Sequence, residues 1–148
     1  ILIDPLVTWL NEHSTDLGYK IAEGTPYEIA IAAIVFADDC TLIAQSNRKA
    51  RTLLMMESAF FQYHKISISA HKTVYGRTAA AIAIDATSQW TDYVEPKIID
   101  FENPNAAENI TILKPDDDFR VLGVYFTMSL NWQPQLERLI ATLTAKLT

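Results

Sequence analysis

The feature that most limits the folds open to this chain is an apolar run of nine residues, Ile29 to Ala37, which ends in two aspartates. The run is about half as long as a membrane-spanning helix requires, so it predicts no transmembrane segment. It is rich in isoleucine and has no polar side, which is typical of a strand that is buried on both faces. Because the apolar segment Thr41–Ala44 follows Asp38-Asp39, the sequence predicts a β-hairpin with two carboxylates at its tip.

Composition excludes several classes of protein. The chain has 148 residues, of which 49% are apolar and 20% charged. This composition is typical of a folded globular domain and excludes a disordered segment. The four glycines never share a short window, which excludes Gly-rich phosphate loops of the P-loop or Rossmann type. The single cysteine excludes a disulfide framework and a cysteine-based zinc site, and the three histidines do not form the HExxH pattern of zinc hydrolases.

The charge balance bears on possible partners. The chain carries 12 basic and 18 acidic residues, a net charge of −6, whereas a domain that grips phosphates usually has the opposite sign. We therefore expect the chain alone to bind nucleic acid weakly and without sequence preference, since phosphate contacts supply most non-specific affinity. The first residue is Ile1, with neither an initiator methionine nor a basic leader, so we expect an excised piece of a longer, non-secreted protein.

Hydrophobic spacing predicts three helices. We expect one from Ile1 to His13, one from a cap at Ser46 or Asn47 to Tyr63, and a last one that opens at Asn131. Their expected core positions are Leu2, Leu6, Trp9 and Leu10 in the first, Leu53, Met56, Phe60 and Tyr63 in the second, and Trp132, Leu136, Leu139, Ile140, Leu143 and Leu147 in the last.

Strands are expected between these helices, which makes the predicted fold class α+β. The clearest candidates are Tyr19–Ala22, Tyr27–Phe36, Ile66–Ser69 and Phe119–Phe126. The stretch from Arg77 to Asp118 is the hardest to interpret, with possible strands at Ala80–Ile84 and Ile98–Phe101. We also expect the strand before the aspartates to be central in an antiparallel sheet, with the second helix packed on one face.

Two adjacent aspartates can serve one metal ion only under a geometric condition. On an extended strand their side chains point to opposite faces, but at the bend of a hairpin both can approach the same region. Mg²⁺ takes carboxylate oxygens and keeps several waters, so such a pair plus substrate phosphates can complete a site. The alternative is a solvated turn, because Asp favours turns; Asp116-Asp117-Asp118, also between apolar stretches, is interpreted in that way.

Four segments in order suggest a family. Phe36-Ala37-Asp38-Asp39 resembles the aromatic-Ala-Asp-Asp motif of the reverse transcriptases of non-LTR retrotransposons. Ile1-Leu2-Ile3-Asp4-Pro5-Leu6 resembles the helix that follows that family's Gln-Gly motif, and Ile68-Ser69-Ala70-His71-Lys72-Thr73 its later lysine-threonine motif. The segment from Phe119 to Phe126 resembles the aromatic-x-x-Leu-Gly motif of the primer grip.

The resemblance implies a partial polymerase palm over residues 1–126, with an antiparallel sheet and packed helices, and the start of a thumb-like helix over 127–148. Asp38 and Asp39 would be the catalytic metal ligands of a site for two Mg²⁺ ions. Lys72 would lie near the incoming nucleotide, and Leu122 and Gly123 in the primer grip. The implied partners are an RNA template, a DNA primer and deoxynucleoside triphosphates, and no membrane; the implied reaction is deoxynucleotidyl transfer.

The chain departs from the family in three ways. The family usually has glycine where Lys65 stands and asparagine where Ser69 stands, and residues 77–118 form an atypically long insertion. The first catalytic aspartate of the family lies upstream of the Gln-Gly motif and therefore outside this sequence, so we expect the chain to be inactive alone.

Two alternatives to a polymerase fragment remain. The first is a non-catalytic scaffold derived from a reverse transcriptase, or a decayed relic of a retroelement, which the departures favour. The second is an unrelated metal-dependent phosphodiesterase that uses the same acidic pair. It predicts further carboxylates, or a histidine, close to Asp38.

Overall fold

The computed structural model describes residues 3–37, 39–87, 93–121, 124–129 and 131–147. The helices within these ranges are α1 (Ile3–Glu12), α2 (Ser14–Leu17), α3 (Asn47–Tyr63), α4 (Ala79–Thr87) and α5 (Gln133–Leu147). The strands are β1 (Tyr19–Ile21), β2 (Ile29–Ile31), β3 (Ala33–Phe36), β4 (Asp39–Leu42), β5 (Val74–Tyr75), β6 (Lys97–Ile98), β7 (Glu108–Asn109), β8 (Thr111–Ile112), β9 (Asp118–Val121) and β10 (Val124–Thr127). The pairs β1–β2, β3–β4, β6–β7 and β9–β10 are antiparallel. The predicted α+β class is confirmed.

The chain divides into two compact units. The first takes the described residues of 1–74 and 90–111, and the second takes those of 75–89 and 112–148. The division expected from the family resemblance, at residue 126, stays a prediction. No helix in the described ranges is long and apolar enough to cross a membrane.

The core of the first unit joins α1 to α3. Leu6 and Leu10 of α1 and Leu53 of α3 are fully buried, and Met56 packs in the same cluster. These apolar side chains recur at the three- and four-residue spacing that puts them on one face of each helix. The predicted stripe of α1 is therefore confirmed at these two leucines; Leu2 lies outside the described residues.

Helix α3 begins where the sequence predicts. Ser46 is its N-cap, with extended backbone, and its hydroxyl accepts a hydrogen bond from the Lys49 N–H at 3.3 Å. That bond satisfies one of the N–H groups that the first turn leaves without a helical partner. The prediction that Tyr63 is buried is wrong, since this residue is 83% exposed in the last turn of α3. The apolar contacts of α3 end at Phe60 and Phe61.

Two predicted strands are absent from the described structure for local reasons. The segment 80–84 lies in helix α4, because it is rich in alanine and the Thr78 hydroxyl caps the helix by accepting from the Ala81 N–H at 3.2 Å. The segment Ile66–Ser69 is irregular and leads into a 3₁₀ turn, Ala70–Lys72.

Two other predicted strands are shorter or divided. The strand expected at Ile98–Phe101 ends at Ile98, since the Asp100 carboxylate accepts hydrogen bonds from the N–H groups of Glu102 and Asn103 and closes a turn. The strand expected at Phe119–Phe126 is the β9–β10 hairpin, in which Val121 pairs with Val124.

The prediction that the apolar run is one strand, buried on both faces and central in a sheet, is wrong. Ala32 separates β2 from β3, and among the described residues β3 pairs with β4 alone in a two-stranded sheet. Ile29, Ile34 and Phe36 are 59%, 41% and 66% exposed. The β3–β4 hairpin has helices on one face and leaves its other face uncovered, which explains the exposure of Ile34 and Phe36.

The apolar stripe predicted as core in α5 is also exposed. The side chain of Trp132 and those of four residues of α5 are between 50% and 60% exposed: Leu136, Leu139, Ile140 and Leu143. The helix instead contacts the β9–β10 hairpin through polar groups. The Tyr125 N–H donates to Gln135 Oε1 at 2.8 Å, and the Arg138 guanidinium lies 3.8 Å from the centre of the Tyr125 ring.

A leucine-to-alanine substitution should have different effects in α1, where the apolar face is buried, and in α5, where it is exposed. Leu10→Ala should lower the free energy of unfolding by about 3 kcal/mol, because it leaves a cavity in the core of the first unit. The matched control Leu139→Ala should cost less than about 0.5 kcal/mol, since this leucine is half exposed. Urea unfolding followed by circular dichroism measures both; equal losses would show that the α5 stripe is covered in solution.

Candidate functional site

Of the two aspartates, the structure describes Asp39, which lies where β4 begins after the turn from β3. Phe36 pairs with Asp39, so only Ala37 and Asp38 connect the two strands. This pairing agrees with the expected β-hairpin. Asp39 is the first residue of β4, and its side chain is exposed. Asp38 lies outside the described residues, and its role as a metal ligand stays a prediction.

The connection of this hairpin contains an unfavourable backbone conformation. Ala37 has a φ of +54°, in the left-handed region that L residues with a side chain rarely adopt. Positive φ values are common in two-residue hairpin connections, because the twist of the connection then matches the twist of the strands. Glycine or asparagine usually occupies such positions. An alanine there is strained, and such strain is concentrated at functional sites.

The β3–β4 hairpin has two unlike faces. Residues opposite each other in an antiparallel pair share a face, and alternate residues of a strand change face. The inner face consists of Ala33, Val35, Cys40 and Leu42, and the outer face of Ile34, Phe36, Asp39 and Thr41. Ala33 and Leu42 pack against the buried cluster of α1 and α3. The Asp39 carboxylate is therefore held on the face directed away from this core.

Glu57 is a buried carboxyl group behind the hairpin that our sequence analysis did not select. It is 7% exposed on α3, a helix that β4 contacts. Burial raises the pKa of the Glu57 carboxyl group above its ordinary range, against a smaller opposing effect of the Cys40 thiol. Its spacing could have indicated this burial, because Glu57 follows Leu53 by four residues and therefore lies on the apolar face of α3.

Lys72 is placed by a short turn. It ends the 3₁₀ turn Ala70–Lys72, where the Ser69 carbonyl accepts hydrogen bonds from the N–H groups of Lys72 and Thr73. The Lys72 side chain is exposed, so its charge is available to a ligand. Its proximity to a nucleotide stays a prediction. Leu122 and Gly123 lie outside the described residues, between the paired residues Val121 and Val124.

Lys65 occupies a position whose backbone favours glycine. It follows α3 with a φ of +58°, and its ammonium group lies 3.0 Å from Glu102 Oε1 in an exposed ion pair. The family that the sequence resembles usually has glycine here, and this conformation gives a physical reason for that residue.

The described residues do not contain a group of three or more His, Cys, Asp and Glu side chains that could hold a metal ion. Asp39 is the acidic group of the hairpin that the structure describes, and Glu57 is buried on α3. The expectation that a phosphodiesterase would have further carboxylates or a histidine close to Asp38 stays a prediction, because Asp38 lies outside the described residues.

Comparison with known proteins gives no relative. No protein family, no curated protein and no solved structure matches the chain. The interpretation of its function therefore depends on the residues and on their geometry.

The backbone at Lys65 can be tested by two substitutions at the same position. Both Lys65→Gly and Lys65→Ala remove the exposed ion pair with Glu102, but only glycine adopts a positive φ without a steric penalty. The glycine variant should be more stable than the alanine variant by about 1 kcal/mol in urea unfolding. Glu102→Ala is the control for the ion pair and should have little effect. If the alanine variant is at least as stable as the glycine variant, the backbone at Lys65 is not strained.

The buried carboxyl should make stability depend on pH. Because the folded-state pKa of Glu57 is raised, its contribution to stability is fully present below the unfolded-state pKa and is lost as pH rises through the folded-state pKa. Glu57→Gln cannot ionise. The stability of this variant relative to wild type should therefore increase with pH, by about 1.4 kcal/mol for each pH unit between the two pKa values.

Urea unfolding from about pH 4 to about pH 8 measures this difference. Ser58→Ala is the matched control: Ser58 is also buried in α3 but has no titrating group, so its curve should stay parallel to that of wild type. A Glu57→Gln curve parallel to wild type would show that Glu57 does not titrate differently on folding.

Proposed function

We propose that this chain is part of the palm of an RNA-directed DNA polymerase of the non-LTR retrotransposon type. The observation that carries the proposal is the Phe36–Asp39 pairing, which puts an aromatic-Ala-Asp-Asp sequence at a two-residue hairpin connection. Such a bend is the arrangement in which adjacent carboxylates can converge on one ion. The order of the three other motif-like segments, and the glycine-type backbone at Lys65, support the same family.

The donor set of the hairpin fits Mg²⁺. Asp39 offers exposed, hard carboxylate oxygens on a strand whose inner face is fixed to a packed core. Asp38 and Asp39 would hold the metal, which when bound supplies charge neutralisation for the primer 3′-hydroxyl and the leaving pyrophosphate. The described residues hold no group of three or more acidic, histidine or cysteine side chains that could offset the repulsion between two cations, so we expect a further carboxylate from another segment.

The other residues would position the substrates. The exposed Lys72 would contribute positive charge near the incoming triphosphate. Leu122 and Gly123 would support the primer strand, where a residue without a Cβ allows another backbone to approach closely. The RNA template, the DNA primer and deoxynucleoside triphosphates are the proposed partners. Because the chain has a net charge of −6, we expect most of the phosphate contacts to come from other segments.

A second candidate is a non-catalytic scaffold derived from the same family. Two residues favour it. Lys65 has a strained backbone that glycine, the usual residue of the family at this position, would relieve, and Ser69 stands where the family usually has asparagine. Loss of the usual residues at two positions beside the lysine-threonine motif is consistent with relaxed selection for catalysis. The two candidates differ in one measurable property, the ability to extend a primer.

Primer extension on an RNA template distinguishes them. The 148-residue chain alone should give no template-dependent product, and joining it to the upstream segment of its reading frame that carries the missing aspartate should create activity. In that longer chain Asp38→Asn should reduce extension by about a hundredfold or more, through lost electrostatic stabilisation of the transition state.

The matched control is Asp117→Asn, which removes the same charge from an exposed turn of the second unit. This variant should retain activity. Activity of the 148-residue chain alone, or an active longer chain that tolerates Asp38→Asn, would contradict the proposal. A longer chain that folds, binds primer and template and yet remains inactive supports the scaffold.

A further inference from the structure

The exposed face of α3 carries positive charge that the fold leaves without a counter-charge. Arg48 and Arg51 are exposed, and neither forms an ion pair with any residue that the structure describes. Both belong to residues 40–56, a stretch without an acidic residue, in a chain whose net charge is −6. The local charge is therefore opposite in sign to that of the whole chain.

This charge is in an unfavourable place for the stability of α3. The N-terminus of a helix has a partial positive charge, so cations in its first turn are destabilising and acidic residues are stabilising. The first turn of α3 contains Arg48 and Lys49 but no acidic residue. Ser46 already caps this turn, so the helix needs no bound anion to complete it. Because the fold gains no ion pair from the two arginines, we expect them to serve a ligand outside the chain.

An exposed aromatic ring lies on the same face of α3. Arg48, Met55 and Tyr63 follow one another at intervals of seven and eight positions, close to two helical turns each, so their side chains share one face. Met55 is 41% exposed and Tyr63 is 83% exposed. Arg51 lies about one turn after Arg48 on the same side. We call Arg48, Arg51, Met55 and Tyr63 the exposed strip of α3, which is about 22 Å long.

The exposed strip is separate from the acidic hairpin. Leu53, on the opposite side of α3, is fully buried in the core against which Leu42 of the hairpin packs. The strip is directed away from this core, and so is the Asp39 carboxylate on the outer face of the hairpin. The core therefore lies between the strip and the proposed metal site.

We propose that the exposed strip of α3 binds single-stranded nucleic acid, with the Arg48 and Arg51 guanidinium groups on phosphates and the Tyr63 ring stacked on a base. Surfaces that bind single strands combine cations along the backbone with aromatic rings on which bases stack. A guanidinium group matches a phosphate through two parallel hydrogen bonds. A duplex keeps its bases stacked inside and offers none to Tyr63. This binding depends on the strip and not on the proposed polymerase function.

Matched substitutions test the two ends of the strip separately. Arg48→Gln removes one proposed phosphate contact, and its control Lys146→Gln removes one positive charge from the exposed end of α5. Tyr63→Ala removes the ring, whereas Tyr63→Phe keeps it. The control Tyr27→Ala removes an equally exposed ring, at 82%, from the segment between β1 and β2.

Fluorescence anisotropy of a labelled oligouridine measures binding to each variant of the 148-residue chain, without divalent metal. The comparison probes are a single strand of the same length without bases and a duplex RNA of the same length, and unlabelled poly-glutamate is used as a competitor. Wild type should bind the oligouridine with a dissociation constant on the order of 10⁻⁵ M, and more weakly as the salt concentration rises.

The two ends of the strip should fail in different ways. Arg48→Gln should weaken binding of the oligouridine about fivefold and reduce the slope of log affinity against log salt by about 0.7, the value for one phosphate contact on a single strand. Tyr63→Ala should weaken binding of the oligouridine roughly tenfold but change binding of the strand without bases by less than about twofold, because it removes a stacked base. Tyr63→Phe and both controls should stay within about twofold of wild type.

Urea unfolding separates a loss of binding from a loss of structure. Arg48→Gln should unfold at a urea concentration no lower than wild type, because it relieves the repulsion at the N-terminus of α3. If this variant is instead clearly less stable, Arg48 has a structural role and the inference is overturned.

Glu95 provides a variant of the opposite sign. This exposed carboxylate belongs to a segment beside the start of α3, since the Val94 N–H donates to Asn47 Oδ1 at 3.2 Å. Glu95→Gln removes a negative charge near the proposed phosphate contacts and should therefore strengthen binding of both single strands. Weaker binding by this variant would contradict the electrostatic part of the inference.

The other outcomes are equally decisive. If wild type does not bind the oligouridine, or if Tyr63→Ala binds it like Tyr27→Ala, the inference is overturned. The same holds if Arg48→Gln binds no more weakly than Lys146→Gln. If the duplex binds as tightly as the oligouridine, or poly-glutamate displaces it completely, the strip is a general polyanion surface and the inference is overturned. None of these results affects the proposed polymerase, which primer extension with Asp38→Asn tests.

Discussion

The first unit depends on the packing of two leucine-bearing helices against each other. Leu6 and Leu10 of α1 meet Leu53 of α3, and all three are fully buried. This contact creates the surface on which Ala33 and Leu42 of the hairpin lie. A short two-stranded hairpin is at best marginally stable alone in water, and packing against helices is what makes it stable. The orientation of Asp39 is therefore a consequence of helix packing.

The sequence predicted those parts of the fold that local rules decide. The start of α3 follows from the capping ability of Ser46, and α1 follows from leucines at helical spacing. The carboxylate hairpin follows from a break between two apolar segments. In each case the local pattern of residues determines one local structure, independently of the tertiary contacts.

The errors about burial have a common cause, which is that the apolar residues of a sequence do not show which of them other elements will cover. Ile34 and Phe36 belong to an apolar run, and Leu139 to a regular stripe, yet all three are substantially exposed. Which face of a hairpin or helix is covered depends on tertiary neighbours that periodicity does not identify. Glu57 was missed for the reverse reason, since a single acidic residue in an apolar stripe resembles an ordinary surface position until its burial is known.

The environment of Cys40 also determines how this chain behaves under oxidation. Burial first, and then the nearby Glu57 carboxyl group, raise the pKa of the thiol, so the thiolate is scarce at neutral pH. The thiolate is the form that reacts with alkylating agents and peroxides and that exchanges with disulfides. Because this is the single cysteine of the sequence, the folded chain should resist covalent dimerisation in air. Reaction with a thiol reagent would then report opening of the β3–β4 hairpin, which makes Cys40 a native chemical probe of the site.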